Sequence, residues 1–428
     1  MSEGARPARI ISLHSVGVAS GIAAGAWLGL AEAPTKLVTM GFSPFLISLG
    51  MVMGVFVARW TIPVALKGTS YIWADLREKP HLIVWGIVAG MLWAVANTLT
   101  VFAIRNVGLS VAFPLWNVNS LIGMFWGWLL FNELRGSGVK QRMVVLGGVL
   151  AIVIGASVLA YSTTNHDSSV KRETAMLGIL AASGAALLWG TMYIPYRKAY
   201  ISGMNPLSFV TVFTFGELGT VFALAAIFDG GVTNVLVSLE QAKPVLFWLF
   251  LGGFCWVIGD LFQQYAAKYI GISRGIPLSN TNQLWGLAWG ALVFGELAHV
   301  ADSQALIVGG SLIMIAGATA ISCAEAPADE QRHWRQAMER ECVRYGLDRE
   351  QVAAAVSGSD SSDRLHSPRR WWEMIIVATA VSVFVWLALL AEKQSIDVNM
   401  TWLVIIVAAS SAVLGGAVFV LWRRTRFA

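Results

Sequence analysis

The chain has 428 residues, of which 56% are apolar and 13% charged, with a formal net charge of +5. A soluble domain carries about 25% charged residues, so this composition excludes an ordinary water-soluble fold. The positive balance does not mark a nucleic-acid binder. The Lys and Arg residues sit in short segments between apolar runs and form no continuous basic face.

A membrane span needs about 20 mostly apolar residues. Ten such runs are predicted in the first 325 residues, at 13–30, 44–66, 82–104, 109–131, 143–161, 176–196, 206–228, 245–265, 272–294 and 305–322. Two more follow a polar gap, at 371–391 and 402–422. The first run is short enough to be mistaken for a signal peptide; its match to the sixth, below, argues that it is kept. Twelve spans put both ends on one side. The positive-inside rule then makes that side cytoplasmic. Only Lys36, Arg105, Lys171, Arg172, Lys243 and Lys393 fall on the other side, and Arg59 lies within a span. The expected location is the plasma (inner) membrane, with the bilayer itself as a partner.

Shifting the chain by 163 residues aligns Trp93–Leu134 with Trp256–Leu297 without a gap, with 16 identities in 42 positions. Pro114/Pro277, Asn117/Asn280, Asn119/Asn282, Gly123/Gly286, Trp126/Trp289 and Glu133/Glu296 are paired. A weaker match joins Gly29, Pro34 and Lys36 to Gly190, Pro195 and Arg197. Shared hydropathy explains matched Leu and Val, but not paired Asn, Pro, Trp and Glu. A repeat of five spans has an odd number of crossings, so the second copy enters the bilayer inverted, a recurrent transporter design with its site at midplane between the copies. The predicted fold is an all-α polytopic membrane protein: a first repeat at 1–162, an inverted second repeat at 163–324, a cytoplasmic helical segment and linker at 325–370, and a two-helix transmembrane hairpin at 371–428.

Five-plus-five spans with a P-x-x-N-x-N core and a terminal F-x-E-L resemble the drug/metabolite transporter superfamily, and within it the glucose/ribose porter and rhamnose symporter-like sugar transporters. The resemblance covers residues 10–325. It implies a cavity lined by the first, third, fourth, sixth, eighth and ninth spans, and a sugar as the small-molecule solute. The last hairpin departs from the ten-span plan and leaves association into homo-oligomers open.

Intramembrane polar residues face the bundle interior or a wet cavity, because hydrocarbon offers them no partner. On a continuous helix Asn119, Gly123 and Trp126 share one face, and Asn282, Gly286 and Trp289 repeat it. Amides that both donate and accept, beside indoles that stack on a ring, suit a polyol. Packing of one helix on another explains the same residues. Asn117 and Asn280 lie on a second face with Ser120 and Gln283. Both faces cannot line one cavity, and one of them is expected to bond a neighbouring helix near the proline break, where backbone groups need partners. Trp93 joins the candidate solute residues. Asp260 and Glu217, deep in the eighth and seventh spans, are alternative proton-coupling groups, with Glu32 a third at the outer end of the first span. Each has a packing explanation too. Arg59 is placed near the inner end of its span, where a long side chain snorkels. Glu133 and Glu296 are expected to be structural, while Gln263 and Gln264 can donate to a solute. The segment from Glu325 to Arg370 reads as a tether with surface ion pairs.

Catalytic and metal sites are not expected. Cys255, Cys323 and Cys342 lack ligand spacing, the six His are scattered, and no catalytic dyad or Walker-type loop occurs. No cofactor is called for, and the chain does not read as an enzyme. The function expected is secondary transport of a small polar solute, a proton-coupled sugar or polyol importer working by alternating access. A drug or metabolite exporter of the same superfamily is the alternative.

Overall fold

The computed structural model describes residues 11–36, 41–107, 112, 115–162, 172–295, 304–359, 370–392 and 398–427. Among these there is no strand. The first repeat supplies α1 (Leu13–Lys36), α2 (Pro44–Lys67), a short α3 (Ser70–Glu78), α4 (His81–Val107), α5 (Asn119–Phe131) and α6 (Val139–Ser162). The second supplies α7 (Arg172–Ile201), α8 (Pro206–Phe228), a short α9 (Val232–Gln241), α10 (Lys243–Ile270), α11 (Ile272–Ser279), α12 (Asn282–Ala288) with a π turn at Trp289–Val293, and α13 (Gln304–Ser322). Helices α14 (Ala328–Tyr345) and α15 (Arg349–Val356) follow, then α16 (Trp371–Leu390) and α17 (Met400–Thr425).

Among the described residues ten helices are long and apolar enough to cross a membrane. The ninth predicted span is absent from that set because it is interrupted, as its proline leads one to expect, and the described part of the fourth, from Leu115 onward, turns at Val118. In the second repeat α11 ends at Asn280–Thr281 before α12 begins. Pro277 removes a backbone donor there. Side-chain hydroxyls reinforce the turn: Ser279 Oγ donates to Ile276 O and Thr281 Oγ1 to Leu278 O, each at 2.7 Å, and the same carbonyls accept from Asn280 N and Thr281 N. Hydroxyls re-satisfying a broken helix are one of the few ways irregular backbone survives at membrane depth. The first repeat turns at Val118, where Leu121 N bonds Val118 O at 2.9 Å in place of the α-helical register.

The helix starts also repeat. Ser43 caps α2 by accepting from Leu46 N, and Asn205 caps α8 by accepting from Leu207 N; a Pro follows at the first turn in both. The packing obeys the same exchange. Helix α1 lies on α10 as α7 lies on α4, and α4 lies on α8 as α10 lies on α2. Helix α5 lies on α7 as α11 and α12 lie on α1, while α2–α8 and α6–α13 are their own counterparts. Glycines set the closest crossings. A Cβ at Gly54 would stand 2.1 Å from the Phe250 carbonyl oxygen, and one at Gly253 2.0 Å from that of Met51. Gly216 and Gly90 form the matching crossing of α8 with α4, where a Cβ on either would stand 2.1 Å from a carbonyl oxygen of the other helix. On the axis, the repeat partners Trp93 and Trp256 pack with ring centroids 4.9 Å apart.

Helices α16 and α17 flank one side of the bundle. The first packs on α2 and α10, the second on α1. Buried Glu373 accepts from Thr69 N and Oγ1, both at 2.7 Å, and the Phe427 carbonyl accepts from Lys67 Nζ, Asn205 Nδ2 and Tyr265 OH. These contacts lie on the face that carries both described chain ends, called the terminal face below.

Candidate transport site

Three fully buried charges meet where α2, α8 and α10 converge. Arg59 Nη2 lies 2.9 Å from Asp260 Oδ2 and 3.2 Å from Glu217 Oε1, with no solvent exposure on any of the three side chains. Arg59 therefore does not snorkel to an interface as its sequence position suggests. Its guanidinium sits 4.1 Å above the Phe213 ring and 5.5 Å from that of Trp256, an aromatic cradle that a cation accepts when water is excluded.

The two carboxylates differ in what they accept. Asp260 takes Arg59 Nη2, Tyr196 OH at 3.2 Å and Gln264 Nε2 at 2.7 Å, and Gln264 is held in turn by Tyr200 OH. Both oxygens of Glu217 lack a hydrogen bond among the described residues, as do Nε and Nη1 of Arg59. One cation facing two carboxylates leaves the cluster with one net negative charge when all three are ionised. In a low-dielectric interior that imbalance is costly, and a single bound proton removes it. The sequence offers Asp260 and Glu217 as alternatives; the structure joins them through one arginine. Arg59 belongs to the first repeat and both acids to the second, so the cluster ties the two repeats together.

The helix breaks bring the amides together. Asn280 Nδ2 lies 2.6 Å from Ser120 Oγ and 3.4 Å from Asn119 Oδ1, across the two repeats. On continuous helices these residues occupy separate faces; the turns at Val118 and Asn280–Thr281 abolish that angular bookkeeping. Asn117 and Asn119 are buried, Asn282 and Gln283 half-buried, and Asn282 Oδ1 has no hydrogen bond. Gln263 Nε2 meets Ser279 Oγ at 2.5 Å, beside the second break. Gly123 faces Tyr193 of α7, and Gly29 of α1 abuts the Asn282 carbonyl and Gly286, so that stripe also serves close packing.

The indoles stand at different levels. A rise of about 1.5 Å per residue puts Trp126 about 10 Å beyond Asn119 toward the terminal face. The inverted copy puts Trp289 as far beyond Asn282 the other way. Both indole N–H groups are buried without a partner. Trp93 packs at the axis, 2% exposed. The side chain of Glu32 and the whole of Pro114 and Glu296 lie outside the described residues.

Residues 176–322 match the model of the EamA-like transporter family. The matched stretch falls within the second predicted repeat, which is thus similar to an EamA-like unit. With the internal duplication, that match carries the resemblance to the drug/metabolite transporter superfamily across the ten-span unit, and the protein is an integral membrane transporter. A Streptococcus pyogenes protein named for a proposed role in sugar uptake is 22% identical over 289 residues, covering 65% of this chain and 89% of its own. The glucose uptake protein GlcU of Staphylococcus xylosus is 23% identical over 237 residues, covering 55% and 76%. Transmembrane protein 144 homolog A of Dictyostelium discoideum is 24% identical over 155 residues, covering 34% and 40%.

Around this EamA-like core, sequence reasoning misses Tyr196, Tyr200 and the pairing of Arg59. A signal existed for the last: an arginine inside one span and carboxylates inside two others are each too costly to stay alone. Glu133 is structural in form. It accepts from Ile272 N and Ser273 N at 3.1 and 2.8 Å and pairs with Arg197 Nε at 2.9 Å. No group of three or more potential metal ligands occurs among the described residues.

Proposed function

We propose that the protein imports a sugar or polyol together with a proton by alternating access, with both chain ends in the cytoplasm. The solute class is supported by the names of the relatives and by the amides Asn117, Asn119, Asn280, Asn282 and Gln283 gathered at two helix breaks. Half-buried Trp126 offers a stacking surface, and the buried indoles of Trp289 and Trp93 become available to a solute as the repeats part. The coupling is carried by one observation, the inter-repeat cluster of Arg59 with Glu217 and Asp260.

Glu217 is the proton carrier in this reading. Asp260 accepts three donors, and protonating it would cost those bonds. Glu217 accepts no hydrogen bond, so a proton there removes the excess charge while leaving the Asp260 bonds intact. A neutral Glu217 releases half of the grip that Arg59 exerts across the repeats, which links proton binding to their relative motion. Carboxyl protonation in a dry site is the common logic of proton relays in membranes.

The test is uptake of a labelled sugar panel into proteoliposomes with and without a pH gradient, wild type beside Glu217→Gln. Expected are gradient-driven accumulation in the wild type and gradient-independent equilibration in the variant. If no sugar of the panel enters, the sugar assignment fails; wild-type uptake indifferent to the gradient ends the coupling assignment.

A further inference from the structure

The segment after α13 does more than connect. Glu330 of α14 is fully buried and accepts four donors. Arg274 Nη1 and Nη2 bind it in bidentate fashion at 2.7 and 2.8 Å, Leu134 N at 2.9 Å, and Ser137 Oγ completes the set. Arg274 belongs to α11 of the second repeat. Leu134 and Ser137 belong to the α5–α6 turn of the first. One carboxylate from a third part of the chain thus fastens the terminal-face ends of both repeats.

The turn it holds is strained. Leu134 has φ of 61°, a region that such a residue seldom occupies, while Asn132 at 58° caps α5 in the left-handed conformation that Asn tolerates. Leu134 is fixed there by Glu330 at its N–H and by Arg142 Nε at its carbonyl, 3.0 Å away. Further contacts spread across the same face. Lys198 pairs with Glu341 at 2.8 Å, Asn132 Nδ2 reaches His333 O, and Tyr345 stacks on His81 at 3.7 Å. The repeat partner of Arg274 is Val111, so this fastening is no inheritance of the duplication.

We propose that α14 forms part of the transport gate: Glu330 bolts the terminal-face ends of the two repeats together, and it releases before that face opens. This rests on the alternating-access reading above. The segment is then a device through which the cytoplasm can hold the transporter shut.

Accessibility tests this directly. In a background lacking Cys255, Cys323 and Cys342, Ile276→Cys on α11 (a position with no exposure here) is labelled by a membrane-impermeant maleimide in vesicles with the terminal face outward. A second cysteine at Ala225 of α8, also unexposed, serves as a control. Glu330→Gln and Arg274→Gln are expected to raise labelling at position 276 about tenfold or more, since breaking a buried pair is costly, and to leave position 225 unchanged. The charge swap R274E with E330R is expected to restore slow labelling. Parent-rate labelling in Glu330→Gln, or equal acceleration at both positions, overturns the proposal. No solute is needed, so failure of sugar uptake would defeat the sugar reading and leave this measurement standing.

Discussion

Among the buried arginine–carboxylate clusters of the described residues, those at Glu330 and at Arg59 differ in completeness. At Glu330 every acceptor direction is filled and the charges of the pair cancel: Arg274 is matched by one acid, with two further donors from the first repeat. At Arg59 one cation serves two acids, and Glu217 accepts no hydrogen bond. A filled cluster changes state only by coming apart. An unfilled one changes state by taking a proton. On the readings proposed above, the same residue types make a bolt at one end of the bundle and a titrating switch within it.

The largest way to break this comparison is to remove the shared cation. Arg59→Leu strands two buried carboxylates, and loss of a partner in a buried pair costs about 3–5 kcal/mol. A marked fall in thermal stability in detergent is expected, with partial recovery when Glu217→Gln is added. A stable single variant would show that Arg59 is not the keystone. Next in size, Asp260→Asn forfeits part of three hydrogen bonds, two of them from neutral donors. Roughly 1.5–3 kcal/mol is expected for a charged acceptor, read as a lowered melting temperature with Arg59 still paired to Glu217. Glu217→Gln should differ from both. It removes the excess charge and breaks no hydrogen bond, so its stability should stay within about 1 kcal/mol of wild type while the pH dependence of uptake disappears. If Glu217→Gln melts as Arg59→Leu does, the distinction between switch and bolt is lost.

Much of the architecture is legible in the sequence because hydropathy and duplication are one-dimensional signals. Apolar runs of span length give the crossings, and Asn, Pro, Trp and Glu paired at a fixed shift give the repeat. The breaks at Val118 and Asn280 are harder to read. Leu, Ile and Trp continue the apolar run straight through them, and only the Pro and clustered Asn residues hint that the helix stops. The Arg59 cluster depends on which helix faces which, 158 and 201 positions apart in the chain, and no local pattern encodes that. Glu330 is hidden differently. It sits among alternating acids and arginines, where a solvated helix face is the ordinary interpretation, and only the tertiary position of Arg274 takes it out of water.

The smallest expected effect separates the two clusters by pH. Burial works to raise the Glu330 carboxyl, but the hydrogen bonds and charge of Arg274, helped by Ser137 and Leu134, outweigh it, so the group lies below its ordinary 4.5. A depressed folded-state value means that the stabilisation is fully present above 4.5 and is lost as the pH falls toward the lower folded value. Between pH 5 and 8 the bolt should therefore contribute a constant amount. Labelling at Ile276→Cys, corrected for the intrinsic pH dependence of maleimide reaction, should be flat across that range in wild type and in Glu217→Gln alike. Any pH dependence of sugar uptake in the same window must then come from elsewhere, and the unfilled cluster at Glu217 is the group positioned to supply it. A terminal face that loosens between pH 7 and 5.5 in the Glu217→Gln protein would place a titrating group in the bolt and erase the contrast.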